Sequence, residues 1–463
     1  MRTAALLACL IALAGCFSGS DEGGDDEGTS GTPVGPRVRL DPPTDLAFAL
    51  PQVLGTVGGG AEPSIAVGPD GTLYVTTPLA LWRSDDAGAT WQGIGTPGCY
   101  LGLPACPVPE LEEAPAPDTL RGGGDADLWV APDGTAHWLG LFDGDNAIPY
   151  QNSTDKGATW SPVVDLAGED SGDREWITGR ADGTIFAAWR NFPAEDDATI
   201  RLKRSWDGGK SWEGPFDIAD DTRQGGVAVD PSSNALALAY DVNGPLFVAH
   251  SFDNGTTWES VQVSDGPRLG HVFPVAAFDT NGTLYLIDAR DYGEPDVPSN
   301  PAVSNRPFEH PDLYLWVSHD KGLTFDGPTQ VNAEGTTAWF PWIAAGGPGR
   351  IVITWYQNDD GLPRGIGGDV YAMAGVSLDA DFPEPRFART RMSPDPVHTG
   401  PECREITGPC TRSLLDFFEV AIDPQGRAVS AWATDTYPVP RVSVEAGVMS
   451  DGPNLWEGGQ FHT

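Results

Sequence analysis

The chain is short of positive charge. Its 463 residues hold 27 lysines and arginines against 66 aspartates and glutamates, a formal net charge of −39, and only four of the cations are lysines. A surface of that sign repels phosphate backbones and anionic headgroups, which excludes nucleic acid as a partner. Motifs of other chemistries are missing too. There is no Gly-x-Ser-x-Gly elbow, no His-Glu-x-x-His and no phosphate loop, so neither a cofactor nor a metal is expected. Long apolar runs are absent except at residues 4–14, which are too few to span a bilayer as a mature helix. Cysteine is scarce, at six.

The apolar run follows Arg2 and ends in Leu13-Ala14-Gly15-Cys16, which resembles the bacterial lipoprotein box. The resemblance implies that residues 1–15 are a signal peptide and that Cys16 carries the lipid. Residues 17–36 are mostly Gly, Ser, Thr, Asp and Glu, too polar to bury anything. Residues 16–46 therefore read as anchor and flexible acidic tether, with a reach of roughly 25 Å for about twenty residues. The expected location is the surface of a cell-envelope membrane, with contact to the membrane through the lipid alone. Outside the signal and the anchor, Cys99 and Cys106 share one spacing with Cys403 and Cys410. In an oxidising compartment two local disulfides are the simplest assignment, with crossed pairing and metal binding as the alternatives.

What the chain has in abundance is repetition. SDDAGATW at 84, STDKGATW at 153, SWDGGKSW at 205, SFDNGTTW at 251 and SHDKGLTF at 318 share Ser-x-Asp-x-Gly-x-Thr/Ser-aromatic. Each stands between two alternating strands and so reads as a hairpin turn. In it Asp86, Asp155, Asp207, Asp253 or Asp320 accepts backbone N–H groups and the glycine takes a positive φ. A fastening is needed once per sheet, whereas a catalytic group is needed once per protein, so the repeats are structural. They resemble the Asp box, or BNR repeat, of the sialidase superfamily of β-propellers.

Upstream of each box lies an apolar strand, a glycine turn and a second apolar strand. Seven such units occur, from SIAVGPDGTLYVTT at 64 to EVAIDPQGRAVSAW at 419. Two units lack a full box: SLDADF at 377 keeps Ser377 and Asp379, and SDGPNLW at 450 reads as an eroded copy. The expected fold is all-β, a propeller of four-stranded blades over residues 47–463, with seven blades and six as the alternative. The last unit lacks its outer strand, and residues 47–55 are predicted to supply it and close the ring.

In such blades the glycine turns and boxes share one face, and the insertions share the other, here called the top. Insertions on one face of a regular scaffold mark the working surface. Candidates there are Asp173, Arg174, Glu175, Arg190, His271, Asp288, Arg290, Asp291, Tyr292, Tyr356, Asp416, Glu419, Asp435 and Tyr437. Sialidases clamp a carboxylate with three arginines and attack with a tyrosine assisted by a glutamate, an aspartate serving as acid and base. The resemblance implies Arg174, Arg190 and Arg290 as the clamp, Tyr356 as nucleophile, Glu175 as its partner and Asp173 as the acid. The family's early Arg-Ile-Pro is missing, and Glu62-Pro63 stands in its place. Residues 143–146 (DGDN) lack the remaining ligands of a calcium loop. Two functions follow: an exo-α-sialidase-type glycoside hydrolase, or a non-catalytic propeller that binds extracellular glycan or protein.

Overall fold

The seven strand–turn–strand units become the first two strands of seven antiparallel sheets, arranged as a seven-bladed propeller. The structure is a computed structural model. It describes residues 38–58, 61–77, 80–94, 125–141, 147–192, 198–220, 223–242, 244–266, 273–292, 310–364, 367–402, 413–436, 442–456 and 460–462. Cys16, Cys99, Cys106, Cys403, Cys410, His271, Tyr437 and residues 143–146 lie outside these. The described residues contain no helix.

Blade 1 runs Ser64–Val67, Leu73–Thr77, Ala80–Ser84 and Gln92–Ile94, paired in chain order. Blades 2 to 6 repeat the pattern and begin at Ala126, Ser171, Arg223, Val275 and Thr337; blade 7 begins at Val420. Second strands have a partner on each edge and a sheet on each face. Leu236–Asp241, Leu284–Arg290 and Ile351–Asn358 are accordingly buried at every position, which is why they read as mostly apolar runs without alternation. Fourth strands form the outer edge, and Glu259–Ser264 (ESVQVS) is mostly open to solvent.

Ring closure follows the sequence expectation. Ala47–Phe48 and Gln52–Gly58 both pair with Val442–Pro453, the third strand of blade 7, from Ala47 opposite Asp451 to Gly58 opposite Val442. Leu46, Phe48 and Leu54 pack against the main core cluster. The C-terminal Gln460–His462 pairs with the same strand.

The five box turns share one bonding scheme. The serine Oγ donates to the aspartate Oδ1 at 2.8–2.9 Å and accepts the glycine N–H at 2.8–2.9 Å. The following Thr or Ser donates its hydroxyl to the aspartate Oδ2 at 2.6–2.7 Å. The glycines have φ between +82° and +99°, and the residue before each (Ala87, Lys156, Gly208, Asn254, Lys321) is also left-handed. A second reason for glycine is packing. A Cβ on Gly88 would meet Val448 of blade 7 at 2.5 Å, and one on Gly157 would meet Ile94 of blade 1 at 2.6 Å. Each box turn thus leans on the preceding blade.

The two weak boxes part ways. Ser377 still bonds Asp379, whose carboxylate is filled by Arg386 N and Nε at 2.9 and 2.8 Å and by Arg39 Nε at 2.7 Å. Residues 450–456 form no such turn: residues 450–453 continue the long third strand of blade 7, and Leu455 N bonds Gly426 O at 2.9 Å. The strand has to run on because both chain ends pair with it.

Candidate functional site

Seven equivalent positions, four residues before the amide that closes each first turn, ring the central channel: Ser64, Asp127, Trp176, Gly226, Val275, Trp342 and Glu419. Ser64 Oγ lies 2.7 Å from Asp127 Oδ1 and 2.6 Å from Glu419 Oε2. One hydroxyl has one proton to donate, so one of the two carboxyls donates in return. Asp127 also accepts Leu128 N–H at 2.7 Å and Ile177 N–H at 2.8 Å, which favour its ionised form. Among the described residues Glu419 accepts one backbone N–H, that of Ile65 at 3.2 Å. Burial, then the Asp127 charge, raises the Glu419 carboxyl well above its ordinary range. Burial raises Asp127 too, against its hydrogen bonds from Ile177, Ser64 and Leu128, so the proton of the pair rests on Glu419.

Trp176 and Trp342 of this ring meet Phe273 and Phe417, each two residues ahead of a ring position. The ring centroids lie 4.8 to 6.2 Å apart and all four side chains are buried. Trp176 and Trp342 also line a chamber of about 170 Å³, together with Asp127 and Glu419 among others.

The mouth is built where the first strands enter. In blades 3 and 6 the strand bulges just above the ring, and Arg174 (φ 57°) and Phe340 (φ 55°) take left-handed backbone there. Such a conformation costs a bulky residue about 1–2 kcal/mol and re-aims its side chain. Arg174 lies over the Phe273 ring at 4.6 Å, with Asp173 at 3.7 Å and Asp416 at 3.9 Å. Glu62 accepts the Asp416 N–H at 3.1 Å. Asp125 is pushed up to about 6, first by burial and against its hydrogen bond to Glu62. Glu175 is fully buried, and burial followed by the Asp125 charge raises it well above the ordinary carboxyl range. Among the described residues neither Glu175 oxygen has a hydrogen-bond partner, and Arg174 Nη1 is likewise buried without one.

The candidates of the sialidase scheme do not assemble. Tyr356 is wholly buried in the second strand of blade 6, where Phe340 and Phe418 flank its ring. Its hydroxyl accepts Ala433 N–H at 3.0 Å, so it fastens blade 6 to blade 7. Arg290 is buried and bonded to Asp288 at 2.7 Å and to Gly244 O and Gly266 O at 2.8 and 3.1 Å. Arg190 stacks on Phe192 at 4.7 Å. Asp173, Arg174 and Glu175 do share the mouth, with Asp416. Tyr292 is half exposed and packs edge-on against Tyr314, and Asp291 accepts His310 N–H.

Two groupings escaped the sequence reading. Asp241 is pushed up to about 7 by burial and by Asp288, against the pull of Arg223, Arg290 and Arg174. Arg174 and Arg290 therefore both act on a carboxylate, but it is the protein's own. On blades 6 and 7, His398 Nδ1 bonds Asp435 at 2.8 Å, and Ser413 donates to the same oxygen. Glu402, buried nearby, is pushed up to about 7 by burial against His398 and Arg364. Nothing local announces His398 or Glu402, since they sit in a loop stretch without a repeat. Among the described residues no three His, Cys, Asp or Glu side chains are placed to hold a metal.

No family model and no curated protein matches the chain. Among solved structures, an ulvan lyase described as a new family of polysaccharide lyase is 11% identical, with a TM-score of 0.51, covering 89% of this chain and 97% of its own. A Dyadobacter fermentans protein of unknown function is 13% identical at a TM-score of 0.45, covering 87% and 99%. A Trypanosoma rangeli sialidase is 11% identical at 0.43, covering 68% and 57%. At these identities the likeness is one of fold.

Proposed function

We propose that this chain is a glycan-binding propeller, exported and held on a membrane through Cys16, that takes its ligand at the channel mouth. The observation that carries the reading is a pair of buried polar groups on adjacent residues left without hydrogen bonds, Arg174 Nη1 and the Glu175 carboxyl. Leaving such groups unpaired costs about 1–3 kcal/mol each, and the hydroxyls of a sugar supply both the donor and the acceptor they lack. The ulvan lyase that shares the fold was solved with a GlcA(1-4)Rha3S unit bound, which supports a glycan as the ligand class. A tyrosine-based sialidase reaction is not adopted, because Tyr356 is spent on Ala433.

One observation favours a second, catalytic reading. Glu175 is held protonated by burial while Asp173 next to it stands partly open to solvent. Acid and base divide in this way in glycoside hydrolases. One experiment covers both. The full-length protein is expected to bind on a glycan array, and Arg174→Ala is expected to weaken its best ligand roughly ten-fold or more. Glu175→Gln, which keeps shape and removes the acid, is expected to leave binding and to abolish any turnover of the same glycan. Cys16→Ser is expected to move the protein to the soluble fraction. Unchanged binding by Arg174→Ala, or an unchanged membrane fraction for Cys16→Ser, refutes the corresponding half of the reading.

A further inference from the structure

The opposite face carries a cleft of about 820 Å³ between blades 2 and 3. It lies far along the chain fold from the mouth, among the glycine turns and boxes. Its size falls within the roughly 300–1,000 Å³ of small-molecule sites. One wall is Trp206, at 49% exposure, backed by Arg204 at 5.0 Å from its ring and held by Nε1 donating to Glu213. The floor is polar. Asn152 Nδ2 donates to Tyr150 Oη at 3.2 Å, and Tyr150 Oη shares a hydrogen bond with His137 Nδ1 at 2.7 Å.

The repeats themselves show how unusual this floor is. Three residues before the box serine, the other four full boxes have Leu81, Leu202, Val248 and Leu315. Blade 2 alone has a tyrosine there, and opposite Asn152 it has His137, where blades 1, 3, 4 and 5 have Tyr74, Phe186, Ala237 and Tyr285 at the same level. Three places before the box serine an aliphatic residue is the rule. Here a hydroxyl replaces it, beside an imidazole and an amide, and Gly209 of blade 3 is the residue over Tyr150: a Cβ on it would fall 1.7 Å from Oη. A purely structural seam gains nothing from burying polar groups where aliphatic ones suffice.

We propose that this cleft binds a short stretch of an uncharged saccharide. The exposed indole offers its face to the C–H side of a pyranose, as aromatic walls do for apolar surfaces with polar edges. Tyr150 and His137 lie buried beneath as support, and the half-buried Asn152 with the hydroxyls of Thr135 and Thr154 offers neutral donors and acceptors to the ring hydroxyls. Asp133 and Asp182 stand on the rim beside a single cation, Lys210, so an anionic sugar is disfavoured. The floor stays neutral under physiological conditions, since burial holds His137 down to about 4.

The test is saturation-transfer NMR on the full-length protein with cellotetraose, maltotetraose and N-acetylchitotetraose as probes. At least one is expected to receive saturation, and Trp206→Ala, a surface change, is expected to weaken it roughly ten-fold. Tyr150→Phe keeps the ring and is expected to weaken it too, with thermal midpoints confirming that both variants fold. Arg174→Ala at the other face is expected to leave it unchanged, which separates this site from the mouth. The proposal is overturned if no probe binds, or if binding survives Trp206→Ala and is lost with Arg174→Ala.

Discussion

At the scale of single residues, the protein buries carboxyls whose protons it holds. Asp125 is pushed up to about 6, and Asp241 and Glu402 to about 7, each by burial first. A carboxyl whose pKa is raised on folding adds stability that is complete below its unfolded value and is lost as pH rises through the folded one. The box aspartates act the other way. Hydrogen bonds from Thr159 and Ser211 hold Asp155 and Asp207 down to about 2, so their stability is present above about 4 and is lost in acid. His137, held down to about 4, also disfavours acid. Between pH 6 and 8 the raised group dominates. The thermal midpoint is expected to peak between about pH 4 and 5 and to fall by roughly 5 °C by pH 8, with Glu402→Gln removing part of the slope. Differential scanning fluorimetry across this range checks it, and a midpoint that stays flat or climbs from pH 6 to 8 contradicts it.

At the scale of elements, the box turn joins blade to blade as well as strand to strand. Gly134 and Gly209 both have left-handed backbone, at +85° and +82°, yet Gly134 has open space around its missing Cβ and Gly209 has Tyr150 against it. Gly134→Ala is expected to cost about 1 kcal/mol, the conformational term alone. Gly209→Ala adds overpacking and is expected to cost about 2–4 kcal/mol. Urea denaturation of the two variants measures the difference, and equal losses would show that the turn does not bear on its neighbour. The sequence displayed these elements well. The boxes, the seven glycine turns and the strand that closes the ring depend on neighbours in the chain, and local pattern reports them. It misled at residues 450–456, where a box-like string continues a strand, because pairing with both termini overrides turn propensity there. It also misled at Tyr356, since WYQN at a strand end reads the same whether the end faces solvent or the next blade. The mouth was only half legible. Asp173, Arg174 and Glu175 are adjacent in the sequence, but their company is set by the ring: Ser64 and Glu419 touch across 355 positions. No periodicity records a contact of that kind.

At the scale of the whole molecule, one seam decides whether seven sheets make a ring. Residues 47–58 cover an edge of Val442–Pro453 that is otherwise open, and with the preceding Leu46 they bring Phe48 and Leu54 onto the core. A chain lacking residues 39–58 is expected to lose several kcal/mol of stability and to self-associate through the bared edge. Size-exclusion chromatography with thermal unfolding reads both, and a monomer of unchanged stability would show that the seam is dispensable. The segment just before this strand has a mechanical meaning. Arg39 is bonded to Asp379, and Asp41 to Arg386 at 2.8 Å, so the chain is riveted to blade 6 before it enters blade 7. A pull on the N-terminal end is therefore met first by two ion pairs on one blade and only afterwards by the hydrogen bonds of the next. The ring is shielded from peeling at its weakest joint, because the rivets must give way before the seam feels the load.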